Sequence, residues 1–204
     1  MQIQRKGNHE KTIADQIAAA YPKSERKTVG QTVLNLMAEM RKDGINDARQ
    51  QADILGQTSL ETTLGTDMIE YTKKGDYEDR ADLGNTQKGD GARYKGRGYI
   101  QITGRASYTY WSHRLGVDLI KHPELAARPD MAAKIAVQGM RDGTFTGMTS
   151  GGSLIKGGGK KLSDYFNNTK TDFFGSRQIV NGRDRAGELA EKARAFLAKI
   201  TKSH

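Results

Sequence analysis

Cysteine is absent from this sequence, and proline occurs three times in 204 residues. Without cysteine there is no disulfide framework, no thiol nucleophile and no cysteine-ligated zinc. The scarcity of proline beside 24 glycines argues for tight turns and close backbone approaches rather than stiff linkers. Hydrophobic residues make up 35% of the chain, below the ~45–50% of an average globular protein, a figure that includes glycine. They never gather into a run of ~18, so no transmembrane segment is expected. The basic start Met1-Gln2-Ile3-Gln4-Arg5-Lys6 has no apolar stretch behind it, so no signal peptide is expected either. The four histidines, His9, His113, His122 and His204, are dispersed without an H-x-x-x-H pair, which leaves no metal and no cofactor to expect.

What is abundant is positive charge, a net +9. A balance of this kind suits a polyanionic partner, whether nucleic acid, an anionic membrane surface or the acidic bacterial envelope, and does not choose among them.

Apolar periodicity predicts helices over 10–21, with Ile13, Ile17 and Ala20 on one stripe, and over 28–42, with Val29, Val33, Leu36, Met37 and Met40 at spacings of three and four. Gly44 is a helix stop. Asn46-Asp47 offers an N-cap, with Gln50 as the capping-box partner three residues after Asp47, for a helix running to about Thr62. Residues 65–98 are polar and rich in Gly, Asp and Lys, a length that in a compact domain marks function or disorder. They lead into Tyr99–Thr103, the best strand candidate. Further helices are predicted over 105–115, 130–141 and 183–200. Residues 147–161, GMTSGGSLIKGGGKK, read as a flexible Gly/Lys-rich surface loop that fails the phosphate-loop pattern. Tyr108 and Trp111, at helical spacing, read as core.

Two segments carry chemistry. In QTSLETTLG (57–65), Glu61 lies near the end of an otherwise apolar helix and shares a face with Ile54 and Gln57. A carboxyl half-buried there is expected to hold its proton more tightly, as a general acid must. In the run 89–105, glycines flank basic and aromatic residues. Tyr94 and Tyr99 offer flat faces for sugar rings, Lys95 and Arg97 offer charge, and Gln101 and Thr103 fall on one side of the predicted strand.

Together, QTSLETTLG (57–65), YKGRGYIQITGR (94–105), LGVDLIKHPELAARPDMAAKIAV (115–137) and SRQIVNGRDRA (176–186) resemble glycoside hydrolase family 19. That family comprises plant-type chitinases and the related endolysins and lysozyme-like enzymes of bacteria and phages. The resemblance implies a single domain over 1–204 with a mainly α, lysozyme-like fold and a small β-hairpin or sheet lobe around 94–104 lining the cleft. It places Glu61 on the general acid and Thr103 on the hydroxyl that helps hold the attacking water. Gln101 and Asn181 fall on polar cleft positions, and Arg177 lies near another. The implied mechanism is inverting, with a second carboxylate roughly 6.5–9.5 Å from the first. Glu70, with apolar and aromatic neighbours, is favoured for that base over Glu78 in its acidic run. The usual Asn-Tyr after the GR pair is replaced by Ala106-Ser107-Tyr108, exchanging one cleft amide for a hydroxyl.

The expected substrate is the glycan strand of bacterial peptidoglycan, cut by a monomer made in the cytoplasm and acting on the cell wall. This could serve phage lysis, or a secreted effector with a cognate immunity protein or secretion machinery as partner; nucleic acid is not expected. The alternatives are a chitinase and a non-catalytic glycan-binding homologue; a basic nucleic-acid-binding domain is the third reading.

Overall fold

Six long helices carry the architecture, and each follows from the spacing of its apolar residues. The structure is a computed structural model that describes residues 2–73 and 75–202; Met1 of the basic start and His204 among the histidines lie outside them. Helix α1 (Gln2–Ala18) buries Ile13, Ala14 and Ile17, beginning earlier than the periodicity predicts and ending before Pro22. α2 (Arg26–Lys42) buries Val29, Val33, Leu36, Met37 and Met40, the expected stripe. α3 (Ala48–Thr62) is capped by Asp47, whose carboxylate accepts from the Arg49 N–H at 2.8 Å. Gln50 closes no capping box; its amide donates instead to the Phe166 carbonyl at 3.2 Å.

A short α4 (Asp90–Arg93) interrupts the polar stretch after a single 3₁₀ turn at Ala81–Leu83. α5 (Arg105–Leu115) and α6 (Pro129–Asp142) follow, the latter with proline in its first turn, where no N–H is missed. After the short α7 (Thr144–Gly147) and α8 (Leu162–Tyr165) comes a 3₁₀ turn at Gly175–Ile179, and α9 (Ala186–Lys202) closes the chain.

α3 packs on α9, α1 on α2, and α2 on α6, so the main apolar core lies among these helices. A second, smaller cluster joins Tyr94, Ile102, Tyr108, Trp111, Leu119, Ala126 and Ile135. α6 serves both, giving Ala132, Ala136 and Met140 to the first and Ile135 to the second. Tyr108 and Trp111 are core residues, as their spacing predicts.

The chain is mainly helical, but the expected β-hairpin or sheet lobe is not formed. Among the described residues only isolated bridges occur, Ile69 with Arg97 and Arg97 with Ile102 in this region. Tyr99–Gln101 is a turn: Gly98 and Gln101 take positive φ (80° and 55°), and the Gln101 N–H donates to the Gly98 carbonyl at 3.2 Å. The alternation of Tyr99–Thr103 mimics a strand because its apolar members are buried, while the left-handed dihedrals forbid an extended backbone. The 147–161 segment folds back on α6 and α7, with Gly159 N–H donating to the Gly143 carbonyl and Ile155 N–H to the Gly147 carbonyl, both at 2.8 Å.

Candidate active site

On α3, Asp53, Gln57 and Glu61 are four residues apart and so share one face. Opposite them lies the Gly175–Ile179 turn, which contributes Ser176 and Arg177. The Arg177 guanidinium is 2% exposed, and each of its nitrogens has a partner: Nη1 donates to Gln57 Oε1 at 2.8 Å, Nε donates to the Asp184 carbonyl at 2.9 Å, and Nη2 lies 2.6 Å from Glu61 Oε1. The Glu61 contact is an ion pair without hydrogen-bond alignment, on a side chain 16% exposed. Gln57 is oriented by donating to the Ser176 carbonyl at 3.0 Å, and the Ser176 hydroxyl donates to Asp53 Oδ1 at 2.6 Å. Burial pushes the Asp53 carboxyl up to about 7, against the opposing pull of its bonds from Ser176 and Gln57. The setting of Glu61 is therefore a buried polar network, in which the expected neighbour Gln57 takes part and Ile54 does not.

The backbone after Glu61 is strained. Thr63 and Leu64 both take left-handed φ (50° and 51°), a conformation costing of order 1 kcal/mol or more for each non-glycine residue. The Thr62 hydroxyl lies 3.3 Å from the Tyr99 carbonyl and joins this helix end to the 99–101 turn.

Glu70 is held by different means. Its Oε1 accepts from the Tyr77 hydroxyl at 2.7 Å and its Oε2 from the Gly96 N–H at 3.0 Å, while its own N–H donates to the Gly96 carbonyl at 3.0 Å. The hydrogen bond to Glu70 is the largest cause pushing the Tyr77 phenol up to about 12. A Cβ on Gly96 would stand 2.8 Å from both Glu70 Oε2 and Gln101 Oε1, so only glycine lets these two side chains approach over it. Glu78 has both oxygens engaged by the α4 turn, accepting from the Gly89 N–H at 2.5 Å and the Gly91 N–H at 3.0 Å.

A cavity of about 380 Å³ brings Gln101, Thr103 and Asn181 together, with Ser107 beside them. The Thr103 hydroxyl donates to the Gln101 carbonyl at 3.0 Å, which leaves its lone pairs free to accept. Neither carboxylate lines this cavity. Glu70 and the cavity-lining Gln101 both approach Gly96, and Glu61 pairs with Arg177, whose carbonyl accepts from the Asn181 N–H at 3.0 Å.

No protein-family model matches the chain. Over 61 residues, 30% of its length, it is 41% identical to a glycosyl hydrolase family 19 domain-containing protein of Haemophilus influenzae. Over 79 residues, 39% of its length, it is 35% identical to Chitinase 8 of Oryza sativa subsp. japonica. The chain is similar to glycoside hydrolase family 19. It covers 30% and 29% of the lengths of these two relatives.

Of the positions that the family 19 resemblance implies for the cleft, Gln101, Thr103 and Asn181 share the cavity, and Ser107 lines it where the family's amide is exchanged. Other expected sugar contacts are corrected by burial. Tyr94 is 1% exposed, with its ring packed on Tyr108 at 5.2 Å and beneath Arg105; Tyr99 is 2% exposed. Arg97 is buried and donates through Nη1 to the Arg93 carbonyl and to the Tyr108 hydroxyl, at 2.8 and 2.9 Å. Lys95 differs from these: it is only half-buried, and the bond its backbone carbonyl accepts from Tyr108 at 2.8 Å leaves its side chain out of the correction. Gln57 and Arg177 are buried as well, so these side chains support the walls rather than touch a polymer. Asp53, Ser176 and Tyr77 were not anticipated. Only Asp53 left a sequence signal, an acid four residues before Gln57 on the same helical face.

Proposed function

We propose that the protein hydrolyses β-1,4 bonds between N-acetylated amino sugars, with bacterial peptidoglycan as its substrate, by an inverting acid–base mechanism. The observation that supports this reading is that two carboxylates are held on separate supports, Glu61 by Arg177 and Glu70 by Tyr77 and the Gly96 N–H, while Gln101, Thr103 and Asn181 line one cavity. The similarity to family 19 proteins supports the reaction class. Glu61 gives its proton to the glycosidic oxygen, and Glu70 takes one from the water that attacks the opposite face of the sugar. Tyr77 and the Gly96 N–H hold the Glu70 carboxylate in one orientation, and Thr103 accepts from the attacking water. Glu70 is preferred to Glu78 because it approaches Gly96 from the side of the cavity-lining Gln101, whereas Glu78 is tied to the start of α4 by the Gly89 and Gly91 N–H groups. Net charge +9 favours an anionic wall polymer over neutral chitin.

A second reading, chitin as substrate, is favoured by the 35% identity to a rice protein named as a chitinase. Mass analysis of the soluble products from purified peptidoglycan and from chitin separates the two. The expected result is muropeptides with new reducing ends, in the α-anomer when NMR catches them fresh. Chito-oligosaccharides alone would establish the second reading, and no product from either polymer would reduce the protein to a glycan-binding module.

A further inference from the structure

Asp53 is a buried acid with no part in the acid–base chemistry just described, yet it stands at the root of the side chains that hold Glu61. Its Oδ1 accepts from the Ser176 hydroxyl at 2.6 Å, and Gln57 Nε2 lies 3.5 Å from its Oδ2. Ser176 and Gln57 are themselves joined at 3.0 Å, and Gln57 accepts from Arg177 at 2.8 Å. The chain of contacts Asp53–Gln57–Arg177–Glu61 is thus continuous, with Ser176 bracing its first link.

We infer that Asp53 is a positioning residue for Glu61: it anchors the pair that aims Arg177, and its carboxylate offsets the Arg177 charge where that charge meets the acid. This rests on reading Glu61 as the general acid. Donation to a glycosidic oxygen requires a proton on Glu61, and a lone guanidinium at 2.6 Å opposes that. The Asp53 carboxylate acts through space on the same cation and relieves part of that opposition.

Both protonation states of Asp53 can be accommodated. Ionised, it accepts from Ser176. Neutral, it can donate to Ser176 Oγ, whose own proton then turns to the Phe173 carbonyl, 3.0 Å away. Burial brings the changeover of this carboxyl to about 7. The charged and titratable groups acting on Asp53 are Arg177 and Asp172, with the Tyr165 phenol also within its field. α9 meets this helix at Gly56 with Leu189 and Ala193, both apolar, while its Glu188 carboxylate also feels the Arg177 charge. Glu61 faces Arg177 and, more weakly, Arg185.

The test is Asp53→Asn, close in shape and never charged. The alkaline limb of the kcat/KM profile is expected to move by at least about half a pH unit toward lower pH, about a threefold loss at a fixed pH on that limb. Carboxyl-carbon NMR of Glu61 should show its titration moving the same way without any turnover. Ser176→Ala removes a bond to the ionised form and should move both readouts in the same direction by less. A folded Asp53→Asn protein with an unmoved limb and an unmoved Glu61 titration would overturn the inference. If Asp53→Asn does not fold, unmoved readouts in Ser176→Ala do the same. A wild-type protein that turns over no glycan, while its Glu61 titration still responds to Asp53→Asn, would sink the hydrolase reading and leave the coupling intact.

Discussion

Glu61 stands at the end of a regular helix and is steadied by one distant side chain, Arg177, whereas Glu70 stands in irregular backbone and is steadied by a main-chain N–H and a phenol. The first support is electrostatic and can be removed by a single substitution. The second is largely made of backbone geometry, and the glycine at position 96 is what permits it. A cation balanced between carboxylates can adjust how tightly an acid keeps its proton. A pair of hydrogen bonds to a carboxylate fixes where a base points. The two supports therefore differ in kind, one a neighbouring charge and the other a fixed orientation.

The largest effects come from removing the two carboxylates. Glu61→Gln should lower turnover about 10²–10⁴-fold in a protein that still folds but melts lower, because the buried Arg177 loses its charged partner. Glu70→Gln should lower it comparably while the protein still co-sediments with insoluble glycan; an unaffected rate would move the base to Glu78. Next in size, Arg177→Met strips partners from Gln57, the Asp184 carbonyl and Glu61 at once. It should cost about 3–5 kcal/mol in urea unfolding, the scale for breaking a buried ion pair. No substitution near Glu70 should match that, because its partners are not a buried charge. Smaller again, Glu78→Ala frees the Gly89 and Gly91 amides and should cost about 1–3 kcal/mol, with turnover retained.

The last effect is a slope. The folded-state value of Asp53, about 7, lies above the 3.8 of a free aspartate, so the folded protein keeps a proton that the unfolded chain releases between these values. The contribution of Asp53 to stability is therefore highest at low pH and is lost as pH rises through that window. Asp53→Asn removes this loss. Its melting temperature relative to wild type should rise between about pH 4 and about pH 7, and a constant difference would place the Asp53 carboxyl at an ordinary value.

The region that was easiest to read is the region of Glu61. α2, α3, α5, α6 and α9 lie close to where apolar spacing predicts them, because a helix that must bury one face repeats its apolar residues every three or four positions. Asp47 was legible as a cap for the same local reason. The region of Glu70 was legible only as a polar stretch of functional length. Its turns depend on left-handed dihedrals at Gln101 and on a glycine pressed between two side chains, and neither has a period. The aromatic residues there misled: Tyr94 and Tyr99 look like sugar platforms beside glycines, but the second apolar cluster and the core under α2 absorb them.

By itself the sequence determined the helices, the order of the four blocks resembling family 19, and the candidacy of Glu61, Glu70, Gln101, Thr103 and Asn181, because these depend on local spacing and on residue type. Tertiary structure alone decided that Arg177 is a buried partner of Glu61, that Asp53 and Ser176 brace it, that Glu70 is held by Tyr77 and the Gly96 N–H while Glu78 is tied to the start of α4, and that Tyr99–Gln101 turns instead of extending. The physical reason is common to all four. Periodicity encodes which face of an element is hidden, but which distant polar group meets another there is settled only when the faces close and each buried donor and acceptor must find a partner.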